Sequence, residues 1–425
     1  MQNQLLKTWP LFFGLALMMV GNSLQGTLLG VRATIEDFSV MTTGFIMTAY
    51  YVGYVAGSFY VPKLVARVGH IRVFAALASA ASTTVLFHGL FVDPWAWSAI
   101  RIITGFSYAG LYIVVESWLN DASTNESRGR MLGLYLVVTY AGMVAGQFLL
   151  NIASPSDIEL FVVTSALVSL ALLPIALSSR PAPEFHTSEP IKFKTIWSRS
   201  PLGVFGVMVT GLISAIVFSL GSVFILDLEY SVVDVSYFMA AFIFGGVVLQ
   251  MPVSWVSDKI DRRKVIIGLC ALSLAACGVM MIGYHAGFWV LTFGAFLLGA
   301  VGLPIYGQCV SHVNDHLLAR QFVAASGTLV LLNGAGSMIG PLAISFVMQW
   351  SGGIGFILSL IAIFTVFFVF GLYRAFRVES VPLEDQGDSF YMPARGSAIN
   401  VYAEDVMEQY QEDLEIEKTK KDWDA

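Results

Sequence analysis

Charge is scarce in this sequence. Only 12% of its 425 residues are Asp, Glu, Lys or Arg, against about 25% in soluble domains. With a mean hydropathy of +0.74, such a chain cannot cover a water-facing surface, and lipid is its natural solvent. Cysteine is nearly missing: Cys270, Cys277 and Cys309 all fall in apolar runs, which excludes a disulfide framework or zinc-ligand spacing. No basic patch suited to nucleic acid is present. No phosphate-cradling G-x-x-x-x-G-K-S/T run occurs, so ATP is not the direct energy source. The apolar runs hold no nucleophile–base pair and no metal-ligand cluster, so neither an enzyme nor a cofactor is expected.

Long apolar runs are what the chain has instead. Crossing a bilayer takes about 20 such residues, and twelve segments reach that length: 10–31, 42–64, 71–92, 95–119, 129–151, 158–178, 203–226, 236–257, 264–284, 287–312, 321–349 and 353–376. Backbone polar groups in lipid must pair within their own segment, so these spans are read as helices. Runs such as 161–173 and 356–372 lack the alternation of a membrane barrel. The first run is longer than a signal-peptide core and is expected to be retained.

The net charge of −6 hides a division. Residues 377–425 hold thirteen Asp/Glu against five Lys/Arg, a net of −8, which leaves +2 on the rest. That segment is read as an acidic tail, solvated and without fixed structure. Lys and Arg in the short loops orient the chain. One set of loops and the span ends beside it carry seventeen, including Lys63, Arg67, Arg72, Arg130, Arg199 and Lys259; the opposite set carries Arg32 alone, among Asp37, Asp93, Asp157, Asp227, Glu229 and Asp234. Both termini are therefore expected in the cytoplasm, which requires an even helix count.

The loop at 179–201 is polar and contains Pro181, Pro183, Pro190 and Pro201. It divides the chain into six-helix units at 1–178 and 202–376, with 377–425 as the tail. The units are related in sequence. A shift of 194 brings Gly105 onto Gly299, Tyr112 onto Tyr306, Asn120-Asp121 onto Asn314-Asp315, Gly142 onto Gly336 and Gly146 onto Gly340. A shift of 192 brings Gly14 onto Gly206 and Gly53 onto Gly245. Equal orientation of the two units makes them parallel repeats, an arrangement that places a substrate site between the halves at mid-membrane.

Loop motifs sharpen this. Asp258-Lys259-Ile260-Asp261-Arg262-Arg263, between spans 8 and 9, resembles the D-R-x-G-R-R signature of the major facilitator superfamily. The loop between spans 2 and 3 matches it at Arg67, Gly69 and Arg72, with Ala66 where the acid should stand. Arg101-x-x-Thr104-Gly105 is similar to the family's R-x-x-Q-G, and Arg128-Gly129-Arg130 to its R-G-R. The resemblance implies an all-α membrane fold of two six-helix bundles related by a pseudo-two-fold axis. It also implies alternating access, with spans 1, 2, 4, 5, 7, 8, 10 and 11 facing a central cavity and Arg67, Arg72, Asp121, Arg128, Asp258, Arg262 and Arg263 in gating loops.

A charge within the bilayer is a functional candidate. Span 4 carries two, Arg101 and Glu116, fifteen residues and about 22 Å apart along a helix. Their repeat mates are Ala295 and Val310, so the scaffold itself does not require them. The resemblance suggests proton coupling or anion binding for Arg101. Glu116 is read as an inner gate or proton carrier, the alternative being an ion pair with Arg67 or Arg72. Arg32 is a candidate for drawing an anion to the outer mouth. Asn22, Gln25, Tyr50, Tyr54, Tyr108, Tyr112, Tyr140, Gln147, Gln250, Tyr306, Gln308 and Asn333 complete the candidate binding set, each alternatively a helix-packing contact.

Other patterns carry less. Gly334-x-Gly336-x-x-x-Gly340 sits in an apolar helix and reads as helix packing. His312-x-x-x-His316 has metal spacing but is placed at a helix end beside water. The expected function is secondary active transport of a small organic solute, an anion preferred, coupled to protons. The expected setting is a monomer in a bacterial inner membrane. The alternatives are proton-driven multidrug or metabolite efflux, and a non-transporting sensor or scaffold signalling through the acidic tail.

Overall fold

The computed structural model describes residues 2–121, 125–177, 191–318, 321–377 and 386, with side chains described from Thr8 onward except at 120–121, 125–129 and 323. The described residues form α-helices. They are α1 (Gln2–Ile35), α2 (Val40–Val68), α3 (His70–Leu90), α4 (Pro94–Asp121), α5 (Asn125–Leu149), α6 (Glu159–Ala176), α7 (Phe193–Arg199), α8 (Pro201–Asp227), α9 (Val232–Ser257), α10 (Arg262–Ala286), α11 (Phe288–Gly302), α12 (Ile305–Asn314), α13 (Phe322–Ser351) and α14 (Ile354–Arg377). Twelve spanning segments result, because α11 and α12 form one span broken at Pro304. Proline has no N–H to donate back, so α11 ends there and Pro304 serves as the N-cap of α12.

Eleven of the spans are long and apolar enough to cross a membrane. The other, α2, has the length but not the hydropathy, because Thr43, Tyr50 and Tyr51 lie on the face it buries. The first helix runs past the expected 10–31 at both ends. The loop at 179–201 contains the short helix α7 among its described residues, and Ile191 ties it to α13, donating to the Ala324 carbonyl at 3.2 Å and accepting from Thr328 at 2.7 Å.

Close packing explains the repeated glycines. A methyl group on Gly53 would strike the Ile102 carbonyl, and one on Gly105 the Tyr50 carbonyl, so α2 and α4 cross backbone to backbone. Gly245 and Gly299 do the same for α9 and α11 against Phe296 and Phe242. These four glycines are the repeat mates. Gly142 and Gly146 seat α5 on α1, as Gly336 and Gly340 seat α13 on α8. Small residues permit this approach where lipid offers no hydrophobic drive between helices.

Exposed tryptophans mark the two interfaces. Trp95, Trp289 and Trp350 ring the end that carries the acidic loops, and Trp9, Trp197 and Trp255 ring the end that carries the basic ones. At the basic end Lys63 lies 4.3 Å from the Phe59 ring centre and Lys259 3.5 Å from that of Trp255, aliphatic stems along apolar surface with the charges at the border.

The halves meet at the acidic end. Met41 N–H donates to Gln349 at 3.4 Å, Thr48 to the Met338 carbonyl at 3.3 Å and Asn151 to Ser236 at 3.0 Å. Phe148 packs edge-on against Tyr237, and Gly30 abuts Ser222. Among the described residues these contacts run from the acidic end to mid-span, at Val55 against Gly334.

Candidate functional site

Arg101 and Glu116 of α4 are both inside the protein. Arg101 is 5% exposed. Its guanidinium lies 4.3 Å from the Tyr50 ring centre, and Nη2 donates to Met47 Sδ at 3.8 Å. The arginine therefore faces the bundle and does not snorkel to headgroups. From Tyr50 a ladder of rings leads along α2 and α4. Tyr50 to Tyr54 is 6.1 Å between centroids, Tyr54 to Tyr112 is 6.3 Å, and Tyr108 adjoins Tyr112 at 6.3 Å. The Tyr112 hydroxyl accepts from Asn22 at 2.7 Å and donates to Met19 Sδ at 3.7 Å, fixing α4 to α1.

The ladder ends at Glu116, buried at 7% exposure, whose Oε1 accepts from the Tyr135 hydroxyl at 2.8 Å. Glu116 lies close enough to Tyr54 and Tyr135 of its own half and to Tyr306 of the other to interact with them electrostatically. Glu116 thus stands where the two halves face each other. Arg67 and Arg72, its alternative partners, are exposed. The tyrosine spacing of four residues on each helix produces the ladder, because positions i and i+4 share a face.

The other candidates divide. Gln147 is structural glue, accepting from Thr27 at 2.9 Å and donating to Ser23 at 2.7 Å. Asn333 donates to the Val207 carbonyl at 3.0 Å and holds α13 on α8. Gln308 donates to Ser254 at 3.5 Å. Gln25 is 1% exposed, and its amide has no hydrogen-bond partner among the described residues; Gln250 is buried and its oxygen is likewise unmatched. Tyr140 is buried. Arg32 is not brought to this cluster. It bridges to Glu36 at 2.6 Å and donates to the Pro155 carbonyl at 3.0 Å, joining the end of α1 to the loop before α6.

The loop residues behave differently in the two halves. Arg262 is 1% exposed and grips both oxygens of Asp315, at 2.5 and 2.6 Å, while donating to Ser257 at 3.2 Å and standing 3.8 Å from Asp258. Arg263 pairs with Asp261 at 2.9 Å. Burial alone would raise the Asp261 carboxyl, but hydrogen bonds from Arg263 and the nearby Lys264 charge hold it below the ordinary carboxylate range. Gly69 caps α2 and opens α3 at φ 89°, which only glycine adopts without strain. The side chains of Asp121 and Arg128, and the acidic tail apart from Arg377 and Gln386, lie outside the described residues.

Some partners escaped the sequence reading. Tyr135 is one more tyrosine in an apolar span, and nothing local tells it from Tyr140. Asp315 was visible only as the repeat mate of Asp121. His312, expected beside water, is buried at 5% exposure. His88, on α3, is fully buried, with Nδ1 2.8 Å from the Thr84 carbonyl oxygen and its ring edge-on to Trp97.

The sequence profile of the Major Facilitator Superfamily matches residues 11–248 and 203–391. The chain belongs to the major facilitator superfamily of secondary transporters, which are carriers and not enzymes. It is 26% identical over 378 residues to YcaD of Escherichia fergusonii, named an uncharacterized MFS-type transporter, covering 88% of this chain and 97% of that one. Its fold is similar to a point mutant of the nucleoside transporter NupG, at TM-score 0.71 and 13% identity over 87% and 98% of the two chains. It is also similar to a bacterial homologue of the human lysosomal transporter Spinster in an inward-facing, occupied conformation, at TM-score 0.68 and 14% identity over 89% and 97%. Twelve spanning segments on this fold, with bacterial relatives, make it a multi-pass protein of the bacterial inner membrane type.

Proposed function

We propose that this chain carries a small organic solute by alternating access, with Glu116 as the group that couples the solute to proton movement. The observation that carries the reading is one buried carboxylate, held by Tyr135, placed where Tyr306 of the second half comes within reach of its charge. A carboxylate is a proton carrier of the right chemistry. A position between halves exposes it to each side in turn as the halves rock.

The excess of Lys and Arg at one end supports a cytoplasmic position for that end and for both termini. The cross-half contacts then close the outer side, and the protein is inward-facing. The tyrosine ladder and Gln25 supply aromatic faces and an amide for an organic solute, and Arg101 at its outer end favours one that carries an anionic group. Uptake into proteoliposomes with and without an imposed pH gradient tests this, with solutes chosen by thermal-shift screening. Accumulation that follows the gradient supports coupling; accumulation indifferent to it removes the proton from the mechanism.

A further inference from the structure

A second polar cluster lies away from the cavity, at the basic end of the second half. Arg199 of α7, Arg263 of α10 and Arg374 of α14 converge with His312 and His316 on one cleft, floored by Ser200, Pro201 and Leu202. The alternating-access reading makes no use of it.

The positive charge here exceeds its local neutralisation. Arg263 is matched by Asp261, and the neighbouring Arg262 by Asp315. Arg199 has only the neutral Gln321, at 3.1 Å, among the described residues. Arg374 Nε is buried and has no hydrogen-bond partner among the described residues. The His312 side chain is more than nine-tenths buried and lines the cleft, and no described group hydrogen-bonds its imidazole; its ring stands edge-on to His316 at 4.7 Å. Arg374 is half-buried, which is costly for a guanidinium without an acid, and Arg199 is exposed. Planar donors on a fixed frame suit a tetrahedral oxyanion.

The setting is the headgroup layer. The cleft sits at the helix ends ringed by Trp9, Trp197 and Trp255. Phe193 and Trp197 of α7 and Tyr373 and Phe376 of α14 are exposed beside it. We propose that this cleft binds the phosphate of an anionic phospholipid in the adjoining leaflet, held by Arg199, Arg263 and Arg374 with His312 as a further donor. The same donors would accept a free phosphate. The lipid is distinguished by its acyl chains, which would lie on the exposed aromatic side chains around the cleft.

The test uses the full-length protein purified in neutral detergent. It is titrated with short-chain phosphatidylglycerol, with short-chain phosphatidylcholine and with inorganic phosphate, and binding is read by thermal shift and native mass spectrometry. Phosphatidylglycerol should raise the Tm of the parent in a saturable way. Arg374→Gln and Arg199→Gln should each weaken that binding about tenfold, and Arg374→Lys should recover part of it. Lys194→Gln, an exposed charge on α7 outside the cleft, should leave it unchanged. Phosphatidylglycerol binding more tightly than phosphate identifies the lipid. Phosphate binding as tightly, with the same arginine dependence, keeps the oxyanion site and assigns it to a soluble anion. Equal losses in Lys194→Gln and Arg374→Gln, or a phosphatidylcholine response equal to that of phosphatidylglycerol, would overturn the proposal. Because the readout is binding, the result stands apart from whether Glu116 couples protons.

Discussion

Replacing Glu116 by glutamine separates charge from shape. The glutamine side chain would keep an oxygen at the position that accepts from Tyr135 at 2.8 Å, so the α4–α5 contact survives. A charge-assisted hydrogen bond is worth roughly 1 kcal/mol more than a neutral one, and the substitution also removes the cost of holding an ionised group away from water. These oppose each other, and a chain of 425 residues should show a Tm change of no more than about 3 °C. Transport should respond far more strongly. One pH unit of gradient is worth about 1.4 kcal/mol, or tenfold accumulation for one proton per solute. In proteoliposomes with a gradient of two units, the parent should therefore approach about hundredfold accumulation. Glu116→Gln should fall to a ratio near one while retaining exchange of labelled for unlabelled solute, which needs rocking but no net proton movement. Full gradient-driven accumulation by a folded Glu116→Gln protein would refute the assignment. Loss of exchange together with accumulation would place Glu116 in solute binding or gating instead of coupling.

The remaining predictions concern scaffold, charge pairing and conformation. Gly105→Ala and Gly299→Ala each force a methyl group onto a facing carbonyl and should lower stability by about 1–3 kcal/mol, measured as a fall in Tm in detergent and of similar size in both halves. Asp315→Asn removes the bidentate carboxylate from the fully buried Arg262, leaves it Asp258 at 3.8 Å, and should cost about 3 kcal/mol, whereas removing both charges with Arg262→Met and Asp315→Leu should recover most of the Tm. Arg101→Lys keeps the charge but loses the planar contact with Tyr50, and should raise the KM for solute about tenfold without abolishing exchange. Met41→Cys with Gln349→Cys should crosslink under mild oxidant where α2 meets α13 and stop uptake, and a reductant should restore it.

The fold was legible because lipid imposes one local rule on each span, and that rule writes itself into composition. The repeat was legible for the same reason at the next level. Gly53, Gly105, Gly245 and Gly299 recur because two backbones touch there, and a backbone contact tolerates one residue type. The site was half legible. A charge or a tyrosine stands out in an apolar run, so Arg101, Glu116, Tyr50, Tyr54 and Tyr112 could be named from sequence. Which of them touch could not, because the Tyr54–Tyr112 step and the Tyr135–Glu116 bond join different helices at an angle the sequence does not carry. Short hydroxyls were hidden altogether. Ser23 and Thr27 are ordinary helix residues until Gln147 is seen between them. Burial of His88 and His312 was hidden too, since one histidine reads the same facing lipid, water or core.

The two halves share their crossings but not their chemistry. The repeat mate of Tyr50 is Phe242, and that of Arg101 is Ala295. The second half therefore has a ring where the ladder begins but neither the hydroxyl nor the cation. Tyr112 does keep its mate, Tyr306, and that residue reaches Glu116 from across the interface. A symmetric pair of tyrosines flanking an unsymmetric carboxylate has a mechanical consequence. Rocking the halves changes the distance from Glu116 to Tyr306 while its distance to Tyr135, in the same half, stays fixed. The surroundings of the carboxylate are then a function of conformation, which is what coupling requires. On this argument Tyr306→Phe should alter the gradient dependence of transport and leave folding intact, whereas Tyr135→Phe should impair both.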